Sequence, residues 1–262
     1  MFYIHPGFFS QLSHPLNDII RNSIADSSEN CIVWEEVDST VFLLFAEFAY
    51  TGQYHCPVPT KADKDDASLG LSKRYASDAF ALPYSQNWYG ACGSCPHRVA
   101  NDGKKHLFVS VTCDCGPSKT TKHFISAFLL QYCGHAGTRT CFAQSFTDKS
   151  VERLIAHVQM WIIAAEYDVT KLMDKAARNL ASKLAQWQIS SSTFIPQFGK
   201  FIRYIYANTA GCCQLRQVVA SFAACVDEDV CALEGWEALL ADMPNFTMDL
   251  VRHMTNRRVG KW

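Results

Sequence analysis

The chain has 262 residues, of which 48% are apolar and 19% charged, with a formal net charge of −1. That composition suits a globular protein with a buried core and excludes whole-chain disorder, which needs low hydrophobicity and high net charge. The near balance of 24 basic and 25 acidic side chains leaves no bulk attraction to nucleic acid or to an anionic membrane.

The longest apolar run, 41–46, is closed by Glu47 and falls far short of the roughly 20 residues that span a bilayer. The opening stretch, Met1-Phe2-Tyr3-Ile4-His5-Pro6-Gly7, lacks the basic, apolar and small-residue regions of a secretory leader. A cytoplasmic or nuclear location is therefore expected. There the twelve cysteines stay reduced, buried or metal-bound instead of forming disulfides.

In chain order, Phe2-Tyr3-Ile4-His5 reads as the end of a short strand that Pro6-Gly7 breaks. Two short helical stretches follow at 8–12 and 15–21, with Pro15 suited to a first helical turn. Cys31-Ile32-Val33-Trp34 is a second strand candidate, rich in β-branched and aromatic residues. Asp38-Ser39-Thr40 supplies capping side chains for a helix through Ala49, and Gly52 stands where a left-handed C-cap belongs. That helix is apolar on nearly every side, which predicts burial.

The middle, 55–150, shows little periodicity. It holds Pro57-Val58-Pro59, a polar run from Lys61 to Asp66, and eleven basic against seven acidic side chains. So long a stretch without regular structure inside a domain is expected to be functional or a surface insertion. From 151 onward helical periodicity returns. Val151, Leu154, Ile155, Val158 and Ile162 mark one helix, and Asp168 or Thr170 is the candidate cap of the next, carrying Leu172, Met173, Ala176, Ala177, Leu180 and Leu184. Phe198, Phe201, Ile202 and Ile205 mark a further helix, and Leu215, Val218, Val219, Phe222 and Val226 another. Short stretches around Trp236 and Phe246 end the series. Two short strands and many helices predict a predominantly helical α+β fold.

Taken together, these segments resemble a BTB/POZ domain. Phe2-Tyr3-Ile4-His5, the two short helices, the strand at 31–34 and the helix end Ala49-Tyr50-Thr51-Gly52 look like its first half. Ile163-Ala164-Ala165-Glu166-Tyr167-Asp168-Val169 with Leu172 looks like its paired late helices. Arg203-Tyr204-Ile205-Tyr206-Ala207-Asn208-Thr209 and 215–226 look like the helical extension of the fungal branch. The resemblance implies a small sheet and four segments: the first half at 1–54, an irregular Cys-rich insertion at 55–150, the second half at 151–187 and a C-terminal helical extension at 188–262. It departs from the family in two ways. The family domain opens with one more strand before the Phe-x-x-His segment, and the insertion is foreign to it. The resemblance implies protein–protein interaction: a dimer, or an adaptor or scaffold whose partner is a second copy or a cullin of a ubiquitin ligase complex. No nucleic-acid or membrane partner is expected.

Cys92-Gly93-Ser94-Cys95 and Cys113-Asp114-Cys115 flank the alternating stretch His106-Leu107-Phe108-Val109-Ser110-Val111. Four thiolates from Cys92, Cys95, Cys113 and Cys115 around a strand fit a zinc site, and bound zinc supplies folding free energy to a segment with little core. His97, His123, Cys133, His135 and Cys141 are further candidate ligands. The competing reading is reduced thiols in an irregular insertion, since Cys-x-Cys is a less common ligand spacing. Cys92 and Cys95 also match a thiol redox pair, but no βαβ pattern surrounds them.

Other catalytic constellations are absent from the sequence: no phosphate-binding glycine loop, no Gly-x-Ser-x-Gly elbow and no His-Glu-x-x-His. No enzymatic activity is expected. His5 reads as a hydrogen-bonded structural residue, His157 as a solvated one on a polar helix face, and Cys212-Cys213 as helix-start packing. Arg257, Arg258 and Lys261 read as a solvated basic end. Tyr50 and Tyr54 bracket the end of the apolar helix and are the candidate partner-binding anchors, because tyrosine is enriched at interfaces. The alternative is that they seal the core.

Overall fold

The structure, a computed structural model, describes residues 5–26, 34, 37–56, 119–134, 148–187, 189, 193–211 and 213–258. These residues form ten helices: α1 (Pro6–Ser10), α2 (His14–Asp26), α3 (Ser39–Thr51), α4 (Lys119–Cys133), α5 (Asp148–Glu166), α6 (Thr170–Leu184), α7 (Phe194–Asn208), α8 (Gln214–Val230), α9 (Trp236–Asp242) and α10 (Pro244–Arg258). Among the described residues the fold is predominantly helical, as periodicity predicts. The only β-type pairing among the described residues is an isolated bridge at Trp187. The expected strand at 31–34 lies outside the described residues except for Trp34, and the one at 2–5 except for His5, which has extended φ/ψ. Among the described residues, no helix is long and apolar enough to cross a membrane.

The chain divides into two compact units. The first contains the described residues up to Cys56 together with 155–176. The second contains 119–134, 148–154 and the described residues from 177 onward. The limits of the units fall inside α5 and α6, so each of these helices contributes a stretch to both.

Local chemistry sets the helix ends of the first unit. The His5 ring accepts from the Gly7 N–H at 3.2 Å, and Pro6 opens α1 with an already fixed φ. Ser13 caps α2 by accepting from the Leu16 N–H at 3.2 Å, while its own hydroxyl donates to the Tyr167 carbonyl. Tyr167 follows the last turn of α5, so one serine serves a donor at the start of one helix and an acceptor at the end of another. The Asp38 carboxylate accepts from the N–H groups of Thr40 at 2.8 Å and Val41 at 3.3 Å. Gly52, with φ of 69°, closes α3 through its N–H to the Phe48 carbonyl, a conformation that costs glycine no Cβ clash.

The core of this unit is aromatic. Phe9 is fully buried, with the rings of Trp34, Phe42 and Phe45 at 6.1, 6.3 and 5.3 Å. Leu16 and Ile20 of α2, Val41, Leu44 and Phe48 of α3, and Val158, Ile163 and Leu172 of the later segment complete it. The N-terminal helices and 155–176 thus share one apolar interior, and removing that surface from water is the main favourable term holding them together.

In the second unit α8 is central. It lies against α4, α7 and α10, and Leu215, Val218, Val219, Ala220, Ser221, Phe222, Ala223, Ala224, Cys225 and Val226 are all buried. Phe198 of α7 gathers Trp187, Phe222, Trp236 and Phe246 around it at 5.6 to 6.3 Å. A Cβ on Gly199 would meet Leu239 at 3.1 Å, so the bare glycine lets α9 approach α7 closely.

The segment 55–150 is not irregular throughout, contrary to expectation. Helix α4 lies within it and buries Ile125, Phe128 and Leu129, with Phe128 at 6.0 Å from Phe222 of α8. The reason is visible in α8, which is buried on more than one side. Its alanine face needs a cover, and the apolar residues of α4 recur at the three- and four-residue steps that provide one.

Candidate functional site

A polar cluster inside the first unit forms where the chain leaves α3. Glu47, one turn before the helix end, holds the following segment with both carboxylate oxygens. One accepts from the His55 backbone N–H at 2.9 Å, and the other lies 2.6 Å from the His55 Nδ1. This fixes the direction of Tyr54, His55 and Cys56. The Tyr54 hydroxyl reaches the Nδ1 of His157 at 2.8 Å, and the Cys56 Sγ stands 3.6 Å from the same nitrogen and 3.9 Å from Nε2.

His157 is 4% exposed, which corrects the expectation of a solvated residue. Its position explains the burial: it falls between Leu154 and Trp161 on the stripe of α5 that also carries Val158 and Ala164, all of them buried. A buried imidazole must be hydrogen-bonded, and Tyr54 and Cys56 are among the groups that meet it. A lone polar residue on an apolar stripe was the signal in the sequence. The partners came from 103 and 101 positions away and left none.

The cluster can exchange protons. An imidazole nitrogen within reach of a thiol can accept its proton, giving a thiolate beside an imidazolium. A tyrosine hydroxyl donates to a neutral ring nitrogen and, after rotating, accepts from a protonated one, so Tyr54 suits both states.

A second polar group occupies the other unit. Arg216 of α8 bonds the carbonyls of Tyr206 (3.0 Å) and Thr209, donates to the Thr209 hydroxyl at 3.1 Å, and stacks its guanidinium 4.4 Å over the Tyr206 ring. It thereby closes the C-terminal end of α7, where carbonyls lack helical partners. The Tyr206 hydroxyl donates to Asp249 at 2.8 Å. Burial, and then the adjacent Asp249 carboxylate, push this hydroxyl well above the usual phenol range, while Arg216 acts in the opposite direction. Beside it a cavity of about 240 Å³ is lined by Arg216, Gln217, Asp249, Arg252, His253 and Asn256. Burial pushes the His253 imidazole down from its ordinary value, and Asp249 partly offsets this.

The two tyrosines proposed as anchors part company. Tyr50 is 44% exposed, and its ring lies 4.7 Å from Phe8, itself 45% exposed. The Tyr50 hydroxyl accepts the His5 backbone N–H at 2.8 Å, which fixes the ring in place. Tyr54 is 3% exposed and points inward to His157. Cys92, Cys95, Cys113 and Cys115 lie outside the described residues. Of the further candidate ligands, Cys133 sits at the end of α4 with its thiol toward the Arg178 carbonyl at 3.6 Å. Among the described residues, no group of three or more His, Cys, Asp or Glu side chains is placed to hold a metal ion. Cys213 stands at the N-cap of α8 without a side-chain capping bond. Set beside known proteins, the chain matches no family model, no curated protein and no solved structure.

Proposed function

We propose that this chain is a protein–protein interaction module of BTB/POZ-like character, acting as an adaptor or scaffold without catalytic turnover. The observation that carries this reading is the exposed, immobilised aromatic pair Phe8 and Tyr50. Two large rings held in contact at the surface bury apolar area on association and lose little side-chain entropy, which is how interface anchors work. The shared interior of the N-terminal helices and 155–176 supports the BTB/POZ-like comparison, as does the order of the helices. The partner is a second copy of the chain or a cullin-type scaffold protein.

The test is sedimentation of the full chain over a range of concentrations, alone and with a purified cullin. Association is expected to weaken by about tenfold or more in Phe8→Ala and Tyr50→Ala, with helix content unchanged by circular dichroism. Binding to the cullin would narrow the role to ubiquitin ligation. A wild-type chain that stays monomeric and binds no cullin, or variants that associate as wild type does, would overturn the assignment of this face.

A further inference from the structure

We propose that Cys56 is a modification site: a thiol that passes its proton to His157 and is then oxidised to the sulfenic acid by a small peroxide. Three features point to it. First, Cys56 is partly exposed. Second, its Sγ lies 3.6 Å from an imidazole nitrogen of a ring that is 4% exposed, so the proton acceptor is fixed in place and shielded from bulk water. Third, the Tyr54 hydroxyl, 3% exposed and 2.8 Å from Nδ1, can accept from a protonated Nδ1, which makes Nε2, 3.9 Å from the sulfur, the ring nitrogen whose lone pair takes the thiol proton. A nucleophile, a base within reach and a group that orients the base form the arrangement that activates cysteine.

The limited access selects the co-reactant. Because the ring is sealed and the residue only partly exposed, a two-oxygen molecule fits better than a bulky electrophile. The step balances as follows. The thiol proton moves to His157, leaving a thiolate. The sulfur attacks one oxygen of hydrogen peroxide, so an S–O bond forms and the O–O bond breaks. Sulfur loses two electrons, and peroxide is reduced by the same two. The imidazolium returns its proton to the departing hydroxide, releasing water. The product is the reversible first stage of thiol oxidation. Tyr54 acts as a positioning residue. Among the described residues, the titratable groups that contact the thiol include His157, with Tyr54 on the same ring and the paired Glu47 and His55 next along the chain.

The test treats the intact, reduced full chain with hydrogen peroxide at pH 7 in the presence of a sulfenic-acid trap, then measures labelling at each cysteine by peptide mass spectrometry. Cys231, which is exposed, is the internal control. Cys56 is expected to be labelled about tenfold faster than Cys231 because its proton has an acceptor within reach. His157→Gln should remove that advantage and move the pH midpoint of Cys56 alkylation up to the ordinary thiol range, with Cys231 unchanged. Tyr54→Phe keeps the ring packing and should shift the same midpoint by a smaller amount. Equal labelling of Cys56 and Cys231 in the wild type would overturn the proposal. So would a Cys56 midpoint that neither substitution moves. If His157→Gln loses its helical signal, the wild-type rate ratio and the Tyr54→Phe profile still decide the matter.

Discussion

The ring of Trp34 lies nearly parallel to that of Tyr167, with centroids 5.5 Å apart and planes 19° from each other. Trp34 also meets Phe42 at 5.2 Å and Phe45 at 5.9 Å. One side chain therefore ties the segment before α3 to the turn after α5. Trp34→Ala removes these contacts at once. A loss of about 2–3 kcal/mol is expected in urea unfolding, somewhat below the full core value because the ring is partly exposed. Unchanged stability would mean that this stack does not hold the first unit together.

Ser13 offers a sharper probe of the same seam. Its hydroxyl serves the Leu16 N–H and the Tyr167 carbonyl together. Ser13→Ala removes the cap and leaves that carbonyl without this donor, a cost of about 1–3 kcal/mol. Ser13→Thr keeps the hydroxyl and should recover most of it. Equal losses in the two variants would count against the hydrogen bonds as the cause.

Asp168 is the one non-glycine among the described residues with positive φ, at 52°. It ends α5 in a double-bonded turn, with its own N–H directed to Ala165 and that of Val169 to Ala164 at 2.7 Å. Asp168→Gly should raise stability by about 0.5–1 kcal/mol, because glycine adopts this conformation without the Cβ clash. Asp168→Val should lower it. A thermal melt ranking Gly above Asp above Val is the expected result.

Tyr206 predicts an alkaline effect. Its unfolded hydroxyl has an ordinary value of 10.0, and the folded value is higher, through burial and Asp249. Above pH 10 the folded chain keeps a proton that the unfolded chain loses, so stability falls as pH rises further. Tyr206→Phe lacks that group. It should start lower by about 1 kcal/mol through loss of the bond to Asp249 and then decline less steeply above pH 10. Parallel curves for the two proteins would count against the shift.

Cys133 should resist alkylation. Burial pushes its thiol up to about 11, with Arg178 working weakly against this. Iodoacetamide at pH 8 should therefore modify Cys133 at least about tenfold more slowly than exposed Cys231, as thiolate fraction governs the rate. Similar rates would show that the end of α4 opens readily.

Much of the helical layout was legible because it rests on local chemistry. Asp38 and Gly52 bracket α3 as capping rules require, and the spacing of Phe198, Phe201, Ile202 and Ile205 marks the buried face of α7. Helix α4 was legible in principle, since Phe124, Ile125, Phe128, Leu129 and Tyr132 recur at helical steps. The turn-forming and charged residues before it obscured that pattern. The polar cluster was legible only in part. His157 sits alone on an apolar stripe, but nothing local connects it with Tyr54 or Cys56.

The sequence by itself determined where helices begin and end and which stripes are apolar, because capping and periodicity act over a few neighbouring residues. Only the tertiary structure decided that Tyr50 faces outward and Tyr54 inward, that α4 covers α8, and that a thiol, an imidazole and a phenol meet. Those outcomes depend on which surfaces exclude water from one another across long stretches of chain, and no local rule carries that information.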